Sequence, residues 1–168
     1  AHSAGDSLGR WWVVYTRARQ EKALARHLLG REVAYYLPQV GRTYLCRGRR
    51  VRSHVPLFPG YVFVHGAENA RLAALASNRV STILRVDDSE RLTRDLQQIH
   101  RLIAANTPLT PESQWSPGKR ARICQGPLAG IEGTLAKRRG ETRFLICIDF
   151  IQQGASFEVE DYQLEPVD

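Results

Sequence analysis

Cys46, Cys124 and Cys147, together with five histidines, are the side chains here best able to ligate a metal or attack a substrate. Either chemistry depends on spacing, and the spacing does not supply it. The cysteines are odd in number and far apart, with no C-x-x-C pair for zinc or redox work. His2, His27, His54, His65 and His100 show no H-E-x-x-H pattern. Cys46 with His54 and His65 is the one grouping to weigh as a metal site, and it matches no known ligand spacing. The thiols read as reduced. There is no nucleophile elbow, phosphate-cradling glycine loop or paired-carboxylate motif. The residues point to a binding protein without cofactor, metal or enzymatic activity.

Phosphate recognition fits the composition better. The chain holds 21 Arg against 3 Lys, and a guanidinium meets phosphate through a planar pair of donors that an ammonium lacks. The formal charge of +7 is unevenly spread. Residues 1–107 hold 17 Lys or Arg against 8 Asp or Glu, whereas residues 108–168 hold 7 against 9. The first part suits nucleic acid. The alternative, an arginine-rich solvated surface from a high-GC genome, is left open by composition.

The run "PLFPGYVFV", residues 56–64, threads aromatics and a Pro-Gly turn through an uncharged stretch. It reads either as a buried strand entered through a turn or as an apolar surface kept for a partner.

The elements that would position these groups follow from pattern. With 168 residues, 43% apolar and 24% charged, the chain can bury one core or two small ones. No apolar run is long enough for a membrane helix and no signal peptide is evident, so a cytoplasmic monomer is expected. Residues 1–9, small and polar, are set apart as a disordered or adventitious tail. "WWVVYT" predicts a strand, "RQEKALARHLLG" a helix ending at Gly30, and "EVAYYLP" and "GYVFVH" two strands. A helix over 67–78 and a strand over 80–86 come next. A helix over 93–106 follows, capped by Thr93, with Leu96, Ile99 and Ile103 on one face. This order predicts an α+β fold, an antiparallel split βαβ (ferredoxin-like) sheet with helices on one face, over residues 10–107. "NTPLTPESQWSPG" has three prolines and no periodicity, and 108–117 reads as a linker. Residues 118–168 hold short β-rich runs between glycine turns, with hairpins at "KRRGET" and "QQGAS", and predict a small β-barrel.

The order "WWVVYTRARQEKALARHLL", "YYLP", "PLFPGYVFV" resembles the N-terminal (NGN) domain of the NusG family of transcription elongation factors. "GPLAGIEG" and the closing "YQLEPV" resemble that family's SH3-like KOW domain. The resemblance spans residues 10–168. It implies an apolar pocket that grips the clamp helices of the largest RNA polymerase subunit, with Tyr15, Phe58, Phe63, Trp12 and Ile83 at the matching positions. For Trp12 the pocket and plain-core readings stand together. It implies that Arg17, Arg19, Lys22 and Arg79 face upstream or non-template DNA, unless Glu21 pairs with the charges locally. It implies that the KOW domain binds a small-subunit ribosomal protein or Rho through Leu128, Ile131, Phe144 and Ile146. Gly126, Gly130 and Gly133 would serve as structural turns, and Phe144 or Ile146 would be partly core. "NRVSTILRVDD" departs from the glycine-rich element of the general factors, so a specialised paralogue of the RfaH, UpxY or LoaP type is expected. A general NusG, or an rRNA-binding ribosome-associated KOW protein, is the alternative.

Overall fold

Trp, Val and Tyr crowd the first strand, β1 (Arg10–Thr16), and such side chains favour a pleated, half-buried surface. The computed structural model of the chain describes residues 9–116, 118–159 and 162–167. All of the tail expected at 1–9 except Gly9 lies outside the described residues, as do linker residue 117 and C-terminal residues 160, 161 and 168. The chain divides into two units, Ala1–Glu90 and Arg91–Asp168.

In the first unit β1 leads through α1 (Glu21–Gly30) to β2 (Ala34–Tyr36). A hairpin of β3 (Gln39–Cys46) and β4 (Arg49–Pro56) precedes β5 (Tyr61–Gly66), α2 (Glu68–Ala76) and β6 (Val80–Arg85). The main sheet runs β2-β5-β1-β6 and is antiparallel, with Val13 opposite both Phe63 and Leu84. This is the expected split βαβ arrangement. Period-two alternation sends Trp12, Val14, Val62 and Val64 to one face, where they pack against Leu24, Ala25 and Leu28 of α1 and Ala70, Ala73 and Ala74 of α2. The helix α1 ends at Gly30 as expected. Glu32 takes the left-handed turn at φ 57°.

The second unit opens with α3 (Ser89–Ala104), whose first two residues belong to the first unit. Its start is four residues earlier than Thr93, because Leu92 extends the apolar stripe by a turn. The buried set is Leu92, Leu96, Ile99 and Leu102, one turn apart. Next come β7 (Thr110–Glu112), β8 (Arg120–Ile123), β9 (Glu132–Arg138), β10 (Glu141–Ile148), a 3-10 turn (Asp149–Ile151), β11 (Gln153–Glu158) and β12 (Leu164–Pro166). They form one antiparallel sheet in the order β12-β8-β9-β10-β11-β7. Arg139-Gly140 turns β9 into β10 at φ 51° and 80°, as "KRRGET" predicts. The second hairpin turns on Asp149–Ile151 and Gln152 (φ 52°) rather than on Gly154, which is paired inside β11.

Two features revise the expected linker and the helix before it. Thr110–Glu112 pairs with β11, and Pro111 is tolerated there because β7 is an edge strand. The helix α3, read as part of the N-terminal sheet domain, is bonded to the second unit. Gln98 donates its amide to the Glu132 carbonyl (3.1 Å) and accepts from the Glu132 N–H (2.7 Å), while Arg101 donates to the carbonyls of Pro127 and Ala129 (3.0 Å each). Among the described residues no helix is long and apolar enough to cross a membrane.

Candidate interaction surfaces

The five residues expected to form one apolar pocket fall on two sides of the sheet. Trp12 is 7% exposed within the helix-covered core, and its indole N–H donates to the Gly66 carbonyl at 3.0 Å, which satisfies the only polar atom of the side chain. Ile83, opposite Val14 in register, packs on the same core. Both are therefore removed from a surface that includes Tyr15 by the alternation of β1. Tyr15 and Phe63 lie on the other face with Val13, Tyr61 and Leu84. Phe63 and Phe58 are buried, whereas Tyr15 (46%) and Leu84 (47%) are exposed.

The Pro59-Gly60 turn shapes this face. Thr16 donates its N–H to the Gly60 carbonyl (2.8 Å), and the Gly60 N–H donates to a Glu21 carboxylate oxygen (2.9 Å). Gly60 has φ 90°, and a methyl group there would lie 2.9 Å from the Tyr15 ring, so the turn closes directly beneath that side chain. Tyr15 meets Tyr61 edge to face at 5.2 Å. Burial, with Tyr15 alongside, raises the Tyr61 hydroxyl pKa, and burial pushes that of Tyr36 up to about 12, so both rings stay neutral.

Glu21 does not pair with the basic side chains beside it. It is buried and accepts from Gly60, and among the described residues it is in no ion pair. Arg17, Arg19 and Arg79 are exposed, and they are brought together: Arg17 donates its N–H to the Arg79 carbonyl (2.9 Å), and the Arg79 guanidinium bonds Gln20. Lys22 is also exposed, with its ammonium on the His54 carbonyl of β4. The four expected DNA-facing residues thus gather around the β1–α1 loop and the start of β6.

The second unit is different. Leu128, Ile131, Phe144 and Ile146 are all buried, at 4% or less, so none offers a surface to a partner here. The reason is that β10 is covered on both faces: Phe144, Leu145 and Ile146 are consecutive and all buried. Gly126 and Gly130 do sit in turns, at φ 86° and 93°. Gly133 does not. It lies inside β9, where a methyl group would come 2.5 Å from the Leu145 carbonyl oxygen, so it serves close strand approach. A cavity of about 210 Å³ is lined by Trp115 and by Glu112, Arg138, Arg143 and Ser156, and the last four bond one another. The thiol of half-buried Cys147 is pushed up to about 11 by burial, with Asp149 and Asp95 adding, and is not a thiolate at neutral pH. Among the described residues no group of three His, Cys, Asp or Glu is placed to hold a metal.

The hairpin β3–β4 is not among the elements expected from the sequence. A usable signal was there: "TYLCRGRRV" has a two-residue Arg47-Gly48 turn between β-rich runs, and both residues take positive φ (51° and 78°), as tight hairpins require. The hairpin carries Arg42, Arg47, Arg49, Arg50 and Arg52 and no acidic residue. By unit, residues 1–90 hold 14 Lys or Arg against 7 Asp or Glu, and residues 91–168 hold 10 against 10.

A split βαβ sheet with open, basic and aromatic surfaces, followed by a small β-sheet unit, defines a binding protein of the NGN-plus-KOW type. The family model described as transcription termination factor NusG matches residues 9–112, more than half the chain, and the chain belongs to the NusG family of transcription factors. Among solved structures it is similar to one described as domain interaction in Thermotoga maritima NusG. That chain is 19% identical, with 95% of this chain and 98% of that one covered and a TM-score of 0.50. It is also similar to an MjSpt4:Spt5 complex in conformations B and A, at 15% and 14% identity. Coverage there is 94% of this chain and 99% of each of those, with a TM-score of 0.28 in both cases.

Proposed function

We propose that this chain is an elongation and antitermination factor of the specialised, operon-selective kind. It holds the polymerase clamp helices on the sheet face around Tyr15, with Phe58 and Phe63 as its apolar floor, and sets Arg17, Arg19, Lys22 and Arg79 against upstream or non-template DNA. The second unit recruits a small-subunit ribosomal protein or Rho. One observation carries the reading: the buried Glu21 carboxylate accepts from the Gly60 N–H, which seats the turn beneath Tyr15, and among the described residues it forms no ion pair with Arg17, Arg19 or Lys22. An aromatic docking surface and a phosphate-binding surface then meet at one end of β1.

Titration against isolated clamp helices and against an assembled elongation complex separates the two surfaces. Tyr15→Ala should lower affinity for both by about tenfold or more, the cost of losing an interface aromatic. The Arg17→Gln, Arg19→Gln double variant should weaken only the elongation complex, increasingly so as salt falls. Unchanged clamp-helix affinity in a folded Tyr15→Ala protein would overturn the proposal, and so would equal loss of the arginine variant on both targets.

A further inference from the structure

The hairpin of β3 and β4 is a second basic surface, distinct from the cluster around Arg17. We infer that it binds duplex DNA by standing in the major groove. The register pairs Arg42 with Ser53, Thr43 with Arg52, Leu45 with Arg50 and Cys46 with Arg49, so arginines alternate between the two faces of the ribbon. Arg42 and Arg49 project from one face with Tyr44, Arg50 and Arg52 from the other, and Arg47 occupies the turn. Every residue from Gly41 to Arg50 is exposed, as is Arg52. Among the described residues none of these five arginines is in an ion pair. The Arg52 guanidinium lies over Gly41, where a methyl group would sit in ordinary contact 3.6 Å from its Nε, so this arginine runs along the ribbon.

Shape chooses among polyanions. A two-stranded ribbon with side chains on both faces is about 10 Å thick and, at eight residues, about 26 Å long. A B-form major groove about 12 Å wide admits it, and arginines on both faces then reach the phosphates of both groove walls. The deep, narrow major groove of A-form RNA does not admit it. Single strands are held by concave channels with several stacking aromatics, whereas Tyr44 is the only aromatic between Gln39 and Pro56. Lys22, bonded to the His54 carbonyl, ties the base of the hairpin to α1.

The inference rests on the hairpin alone and not on polymerase binding. The test is fluorescence anisotropy of the full chain on a 20-base-pair random-sequence DNA duplex, the matching single strand and the matching RNA duplex, across a salt series. The wild-type chain should prefer the DNA duplex. Replacing Arg42, Arg49, Arg50 and Arg52 together with Gln should lower duplex affinity tenfold or more and flatten the log K against log salt slope by about 3. The same four changed to Lys should keep most of the slope, which separates charge from folding damage. Clamp-helix affinity of the Gln variant should be unchanged, so failure here and failure of the proposed function are told apart. Undiminished duplex binding in the Gln variant overturns the inference, as does a tighter wild-type complex with single-stranded DNA or with the RNA duplex. Loss of duplex binding in the Arg17→Gln, Arg19→Gln variant alone overturns it as well.

Discussion

At the scale of single residues, two polar groups, one buried and one half-buried, carry costs that substitutions can expose. The Thr16 hydroxyl is buried and has no hydrogen-bond partner among the described residues, at the point where β1 shifts register against β6. A buried hydroxyl without a partner loses its hydration and gains nothing in return. Thr16→Val keeps the shape and removes the orphan, and should raise the urea midpoint, by about 1 kcal/mol in stability. Asp95 of α3 has its pKa raised from the usual carboxylate value chiefly by burial, although the Asp149 N–H bond opposes this. The folded state therefore holds the proton more tightly than the unfolded state does. Stability falls as pH rises through the window above about 4, and the cost is fully present once the folded carboxyl has ionised. Asp95→Asn retains an oxygen to accept from Asp149 and cannot ionise. It should match the parent in denaturation at pH 3.5 and exceed it at pH 7; an equal difference at both would exclude ionisation as the cause.

At the scale of elements, side-chain bonds do work that periodicity does not announce. The short strand β7 has three residues and a proline at its centre, yet it is pinned by a polar network. The Arg138 guanidinium donates to both Glu112 oxygens (2.7 Å), buried Ser156 donates to Glu112 (2.9 Å), and Arg143 donates to Ser156 (2.8 Å) and Thr110 (3.3 Å). Glu112→Ala should cost about 1–3 kcal/mol, because it strips the shared acceptor from a nearly buried site. Hydrogen exchange should show lost protection at Gly154 and Ser156 on β11 while the β9–β10 pairing keeps its protection. This network explains why a Pro-rich stretch that reads as linker is partly strand. The main sheet was legible because β1 and β5 are dominated by Val, Tyr, Trp and Phe, and α1 by its leucine spacing. The assignment of Ile83 to the pocket failed on a one-residue question of face, and the same question settles Trp12, open between pocket and core in the sequence, as core. A family likeness names positions on a strand, and only the register with α1 and α2 says which side each position serves. The fates of Glu21 and Gln98 were not legible either, since both depend on backbone groups brought near only by folding.

At the scale of the whole molecule, charge and structure divide the chain at the same place. The entire net charge of +7 lies in residues 1–90, and the residues that follow balance to zero. The first unit is thus the one built to approach a polyanion, and α3 and β7 belong to the neutral unit. The autonomous C-terminal fragment should therefore begin before α3. Residues 88–168 keep the two-way bond of Gln98 to the Glu132 backbone, the Arg101 clamp on Pro127 and Ala129, and the β7 edge. Residues 118–168 lack all of these and leave the Glu132 backbone and the edge of β11 unpaired, each a site where lost hydrogen bonds cost about 1–3 kcal/mol. Urea unfolding should give a single cooperative transition for 88–168 and a midpoint lower by at least 2 kcal/mol in stability for 118–168, roughly two such sites. The shorter fragment should also show a smaller m-value, since it exposes less surface on unfolding. Coincident midpoints would mean that α3 and β7 contribute nothing to the sheet they are bonded to, and the boundary of the neutral unit would then move to residue 118.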